Sequence, residues 1–150
     1  MLKSKLNRKL LIVSLIITAF SFSQAFAMNK EALKYYNNAS SLYKIRDLEG
    51  AKRQLEKALK ADSSDALVHI KFAGILSELG DWKQALNEYT QAAVLNPNDA
   101  FIYISMGNIF QEHYDYDNAL NAYMQALDLL PEYRYNYLNI AGVKVLKNEL

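Results

Sequence analysis

Gln84-Ala85-Leu86-Asn87-Glu88-Tyr89-Thr90-Gln91-Ala92-Ala93-Val94-Leu95-Asn96-Pro97 is answered 34 residues later by Asn118-Ala119-Leu120-Asn121-Ala122-Tyr123-Met124-Gln125-Ala126-Leu127-Asp128-Leu129-Leu130-Pro131. Ala85, Tyr89, Ala92 and Pro97 therefore recur as Ala119, Tyr123, Ala126 and Pro131. One period upstream, Ala51, Leu55 and Ala58 fill the same slots and Ser63 replaces the proline. Downstream, Tyr137, Ile140 and Ala141 fall where Tyr103, Met106 and Gly107 fell. The chain is thus built by stacking one small unit, and an array of that kind offers a surface rather than a reaction centre.

The spacing dictates local structure. Ala85, Tyr89 and Ala92 are separated by four and then three residues, so they share one helix face and set a large side chain between two small ones. Small residues let a neighbouring backbone approach, and the aromatic fills the gap where the helices diverge. Pro97 and Pro131 lack an amide donor and disfavour helix at the preceding residue, so each ends the second helix of its unit. Asp47, Asp81 and Asp115, again 34 apart, stand where a short acid can accept from the unpaired amides of a new helix. Gly80 suits the turn before Asp81. These signals predict helices over 30–44, 48–61, 66–79, 82–95, 100–113, 116–129 and 133–148.

The pattern resembles the tetratricopeptide repeat (TPR). The third unit carries it on Tyr103, Met106, Gly107, Ala119, Tyr123, Ala126 and Pro131, and the second on His69, Phe72, Ala73, Ala85, Tyr89, Ala92 and Pro97. The first is weaker, with Tyr35, Asn38, Ala39, Ala51, Leu55 and Ala58; Asn38, His69 and the missing first proline depart from the motif. The resemblance implies an all-α fold of antiparallel helix-turn-helix repeats stacked as a right-handed α-solenoid. It places a repeat domain over 28–150, with units near 30–63, 64–97 and 98–131 and a partial unit or capping helix over 132–150.

Residues 1–27 read as a secretory signal peptide: Lys3, Lys5, Arg8 and Lys9, then an apolar run from Leu10 to Phe22, then Ala25-Phe26-Ala27 flanking a cleavage point before Met28. The alternative is an uncleaved inner-membrane anchor over 10–27, which Ser14, Thr18, Ser21, Ser23 and Gln24 weaken. Export to a bacterial periplasm or beyond the cell is expected, with membrane contact only if the leader stays. No cysteine follows the apolar run, which excludes a lipid-anchored lipoprotein, and the absence of cysteine removes disulfides and thiolate metal sites. Losing those four cations and no acid moves the formal charge from +1 to −3. Lysines and arginines then alternate with acids, as in Lys52-Arg53-Gln54-Leu55-Glu56-Lys57, so no nucleic-acid partner is expected.

The sequence offers no catalytic constellation, and neither an enzyme activity, a cofactor nor a metal is expected. His69 takes the slot of Tyr35, Tyr103 and Tyr137 and reads as a packed substitute for an aromatic, while His113 ends a helix, where partial positive charge is favourable. The five glycines are scattered, with no phosphate-binding loop. Asn38-Ala39-Ser40 matches a glycosylation acceptor but falls inside a predicted helix.

In the family resembled, the first helix of each unit lines a concave groove for a peptide or a partner's helix. Carried onto this sequence, that groove comprises Tyr36, Ser40, Ile70, Lys71, Phe101, Ile104, Asn108 and Leu138, together with Leu33, Tyr43, Leu67, Gly74, Ser77, Ser105, Gln111, Tyr135, Asn139 and Gly142. Chaperone-tail clamps of the family use lysine, arginine and asparagine there; this groove is apolar and aromatic, with Lys71 its single cation. The resemblance implies a protein partner presenting an apolar peptide or helix to Tyr36, Ile70, Phe101 and Ile104. In the second reading Leu67, Ile70, Phe101 and Ile104 instead pack against the adjacent unit. The last helix mixes Arg134, Asn136 and Lys144 with Val143, Val145 and Leu146, which fits either a polar cap or a surface for a homodimer. Three roles follow: an envelope scaffold or adaptor, a self-associating structural protein, or an enzyme accessory or catalyst of an unrecognised kind, for which the sequence offers no convergent ionisable groups.

Overall fold

The computed structural model describes residues 29–148. The leader over 1–27 and its cleavage point lie outside the described residues. Seven helices and no strand are present among the described residues: α1 (Lys30–Lys44), α2 (Leu48–Ala61), α3 (Ala66–Glu78), α4 (Trp82–Leu95), α5 (Ala100–Glu112), α6 (Tyr116–Leu129) and α7 (Arg134–Asn148). Three of the helix ends differ by one residue from those read from the sequence, at Glu78, Glu112 and Arg134. Helices pair closely as α1 with α2, α3 with α4 and α5 with α6; α2 then meets α3, α4 meets α5, and α7 lies on α6. The chain is an all-α helical repeat solenoid.

The small–large–small faces do the packing. Ala51, Leu55, Ala58, Ala85, Ala92, Ala119 and Ala126 have no exposed surface, and Tyr89 and Tyr123 are buried between their flanking alanines. Each fully buried aliphatic such as Leu55 or Ile75 contributes about 2 kcal/mol from area removed from water. Helix α5 comes so close to α6 that a Cβ on Gly107 would lie 2.6 Å from Tyr123 Cε1.

One turn is used three times. Arg46, Gly80 and Tyr114, each 34 from the next, adopt φ of 64°, 86° and 62°. Their amides donate to Tyr43, Ser77 and Gln111 carbonyls, and the next amides, of Asp47, Asp81 and Asp115, donate back to Leu42, Leu76 and Phe110. This is the Schellman arrangement, in which a left-handed residue closes a helix and satisfies its last carbonyls. The same three aspartates then open the next helix: Asp47 accepts from Gly50 N–H at 2.8 Å and Asp115 from Asn118 N–H at 3.3 Å. Asp81 makes no side-chain cap bond, because Lys52 of α2 holds its carboxylate at 3.0 Å. Asp65 and Asp99 cap α3 and α5 by accepting from Leu67 and Phe101 N–H, at 2.8 and 3.0 Å.

Asn96 and Leu130, each just before a proline, leave helical geometry with φ of −138° and −140°. Asp62 does the same before Ser63 with φ of −160°. Its carboxylate accepts from Ser64 N–H and Oγ and from Asn29 N–H, so a side-chain turn takes over the role of the missing first proline.

Candidate functional site

Helices α1, α3, α5 and α7 begin each unit and present one common face. Near their N-terminal ends Leu33, Leu67, Phe101 and Tyr135 recur every 34 residues, and they are 43, 56, 56 and 59% exposed. Four large apolar side chains left open at one repeat interval form a row that crosses all four helices. Burying such side chains against one another would have been favourable, so their exposure marks a surface available to something else.

The next row is partly used by the fold. Tyr36 and Ile70 pack against the core of the first two units, and Ile104 against the smaller core around Tyr123 and Val143. Leu138, the fourth of this row, is 61% exposed. Phe101 is held edge-on to Tyr133, with ring centroids 5.6 Å apart, which fixes its direction without covering it. Of the four expected anchors, Phe101 alone thus stands open while Tyr36, Ile70 and Ile104 are shared with the core.

Polar groups occupy the C-terminal half of the face. Tyr43 of α1 donates to Glu78 of α3 at 2.5 Å, and Arg46 donates to the other carboxylate oxygen at 2.7 Å. The Tyr43 bond, with Arg46 behind it, holds the Glu78 carboxyl below its ordinary range against the opposing effect of burial. Half-buried Lys71 lies over the Tyr43 ring, 5.1 Å from its centroid. Ser40 is half-buried on α1, and Asn108, in the same slot two periods on, is exposed on α5. Tyr123 reaches through from α6 and donates to Asn108 Oδ1 at 2.7 Å. Burial first, and Glu112 second, push the Tyr123 hydroxyl up to about 12, so it remains a donor at neutral pH.

His69, expected as a packed aromatic substitute, is buried, and its Nε2 lies 3.1 Å from the Ser63 carbonyl. Tyr103 makes the equivalent bond one unit later, donating to the Pro97 carbonyl at 3.2 Å. The other ring nitrogen of His69, Nδ1, meets Glu88, a buried acid for which the repeat pattern gives no warning. His113 stacks on Trp82 with centroids 4.2 Å apart. Among the described residues no group of three or more His, Asp or Glu is placed to hold a metal, and no helix is long and apolar enough to cross a membrane. The face offers apolar contact surface, hydrogen-bond donors and two cations, of which Arg46 is paired with Glu78 and Lys71 lies over Tyr43.

Helix pairs stacked at a fixed interval with an open first-helix face define the class. Residues 74–113 match the family model described as the TPR repeat. The fold is similar to the first TPR domain of Spaghetti (RPAP3) bound to the HSP90 peptide SRMEEVD, with 17% identity, a TM-score of 0.74, and coverage of 79% of this chain and 94% of that one. It is also similar to the second TPR domain of human RPAP3 in complex with the HSP70 peptide SGPTIEEVD, at 18% identity, TM-score 0.70 and coverage of 76% and 95%. MamA is a third, at 18% identity, TM-score 0.75 and coverage of 85% and 74%. No curated protein matches the sequence. At these identities the likeness is one of fold: the chain is an all-α helical repeat solenoid, and residues 74–113 carry the match to the TPR repeat.

Proposed function

We propose that the protein is a non-catalytic scaffold or adaptor of the cell envelope that holds an apolar segment of another protein in the groove lined by α1, α3, α5 and α7. The observation that carries this reading is the exposed row Leu33, Leu67, Phe101 and Tyr135, since open apolar anchors in register supply most of the energy of such contacts. The RPAP3 domains are described with peptides that both end Glu-Glu-Val-Asp. A groove with Tyr36, Ile70, Ile104 and Leu138 along its centre and Lys71 as its cation suits an apolar ligand better than such an acidic tail. Export rests on the basic start, apolar run and small residues of 1–27, and mass spectrometry of the mature N-terminus tests it.

Pull-down from envelope extract tests the groove. Ile70 and Ile104 also pack inward, so charge is better placed on exposed Leu67 and Phe101. Leu67→Asp with Phe101→Asp is expected to abolish specific capture and leave helical circular dichroism unchanged; capture that survives both substitutions would overturn the reading. A second reading, self-association, is favoured by Tyr137, Leu138, Val145 and Leu146, all exposed on α7. Sedimentation decides it: a monomer at high concentration removes it.

A further inference from the structure

Helix α7 has a second open side, apart from the groove. In each earlier unit three slots of the first helix pack inward: a ring, a small residue four further on, and an apolar residue three beyond that. They hold Tyr35, Ala39 and Leu42, then His69, Ala73 and Leu76, then Tyr103, Gly107 and Phe110. Ala39, Ala73 and Leu76 have no exposed surface, and Leu42 and Phe110 are packed against the cores. The ring of Tyr123, on the second helix of its unit, fills the slot of Gly107, 2.6 Å from where a Cβ would stand. In α7 the same slots hold Tyr137, Ala141 and Lys144. Tyr137 is 54% exposed, and Ala141 and Lys144 are exposed as well.

Charge says what fits there. Arg134, Tyr137, Ala141 and Lys144 follow one another at steps of three, four and three, so they form one stripe with a cation at each end and a ring and a small residue between. From Arg134 to Asn148 the helix carries Arg134, Lys144 and Lys147 and no acid; the nearest acids along the sequence are Glu132 and Glu149. Lys147 is held by Asp117 of α6, whereas Arg134 and Lys144 enter no ion pair among the described residues. Two copies of α7 laid stripe to stripe would bring like charges together with no acid on either helix, which disfavours a second copy. A helix that only faces water carries a polar outer side, and an open tyrosine beside an uncovered alanine is not one. The second helix α6 shows the complement: Ala119, Tyr123 and Ala126 on one face, Asp117 and Asp128 near its ends, and no cation.

We infer that the stripe Arg134–Tyr137–Ala141–Lys144 receives an acidic amphipathic helix of another protein, one with an aromatic between two small residues and a carboxylate toward each end. The aromatic packs on Ala141 as Tyr123 packs on Gly107, and the carboxylates pair with Arg134 and Lys144. This surface is separate from the groove, whose members on α7 include Tyr135 and Leu138, so neither reading depends on the other.

The test is fluorescence anisotropy on the full chain with three labelled peptides, stapled because short isolated helices are marginal in water. The first carries alanine, tyrosine and alanine at the spacing of Ala119, Tyr123 and Ala126, with a glutamate toward each end. The second has lysines for the glutamates, and the third has serine for the tyrosine. The first is expected to bind best and the third about tenfold or more weaker. Ala141→Gln, which crowds the stripe at an exposed position, should weaken the first by about tenfold or more with unchanged circular dichroism. Lys144→Glu should remove the preference for the first peptide over the second. Binding by none of the three, equal binding of the glutamate and lysine peptides, or binding indifferent to Ala141→Gln would overturn the inference. Loss of binding in Leu67→Asp with Phe101→Asp, with Ala141→Gln unaffected, would place the peptide in the groove and overturn it too. A dimer in sedimentation that Ala141→Gln dissociates would put a second copy on the stripe, with the same consequence.

Discussion

His69 Nδ1 lies 2.7 Å from Glu88 Oε2, with both residues buried between α3 and α4. A carbonyl only accepts, so His69 Nε2 donates to Ser63, and Glu88 is the partner that satisfies the second ring nitrogen. One unit on, the same two slots hold Tyr103 and Ala122, a pair that needs only the Pro97 carbonyl. Glu88→Ala alone is expected to cost about 1–3 kcal/mol, because it orphans a buried nitrogen. Adding His69→Tyr should recover most of that loss in urea unfolding. Additive losses in the double variant would show that the two slots are not interchangeable between units.

Gly107 owes its place to the close approach of Tyr123. A methyl there meets the ring at 2.6 Å, and the ring, buried and anchored to Asn108, has nowhere to retreat. Gly107→Ala is expected to destabilise by about 1–3 kcal/mol through overpacking. Gly142 of α7 has nothing within 4 Å of its would-be Cβ, so Gly142→Ala should instead stabilise by about 0.5–1 kcal/mol through helix propensity. Thermal melts of the two variants should therefore move in opposite directions.

Acid should loosen the link between the first two units. The folded Glu78 carboxyl is held low chiefly by the Tyr43 hydroxyl, and that of Asp62 by Ser64. A carboxyl depressed in the folded state contributes stability above its unfolded value and loses it as pH falls through the folded one. Melting temperature is expected to drop below about pH 4, where unfolded carboxyls begin to take up protons. Glu78→Gln should flatten that limb; a slope unchanged in this variant would assign the acid sensitivity to other groups.

The periodicity made the helices legible because one unit's signals could be checked against the next. Its limits are those of a one-dimensional pattern. Asp81 has the spacing of a cap, but the competitor for its carboxylate, Lys52, belongs to the neighbouring unit. Arg46 and Tyr114 hide the left-handed turn that Gly80 advertises, although the 34-residue interval links all three. On the candidate face, Phe101 and Ile104 are three residues apart on one side of α5, yet Phe101 is open and Ile104 packs inward. How far each helix is rotated against its neighbours decides that difference, and the rotation is set by contacts such as Gly107 with Tyr123 rather than by the spacing.

Asn136 occupies the slot held by Val68 and Ile102 in the two preceding units. Like them it is buried, but its Oδ1 has no hydrogen-bond partner and its Nδ2 reaches the Leu130 carbonyl only at 3.5 Å. An unpaired buried amide costs about 1–3 kcal/mol, and an aliphatic of similar volume would remove that cost while filling the same space. Asn136→Val, the residue of the same slot at Val68, should therefore raise stability in urea unfolding by about 1–3 kcal/mol and tighten α7 on α6, seen as slower hydrogen exchange along α7. A destabilised variant would mean that the amide satisfies its oxygen in solution, through a bound water or a small turn of α7.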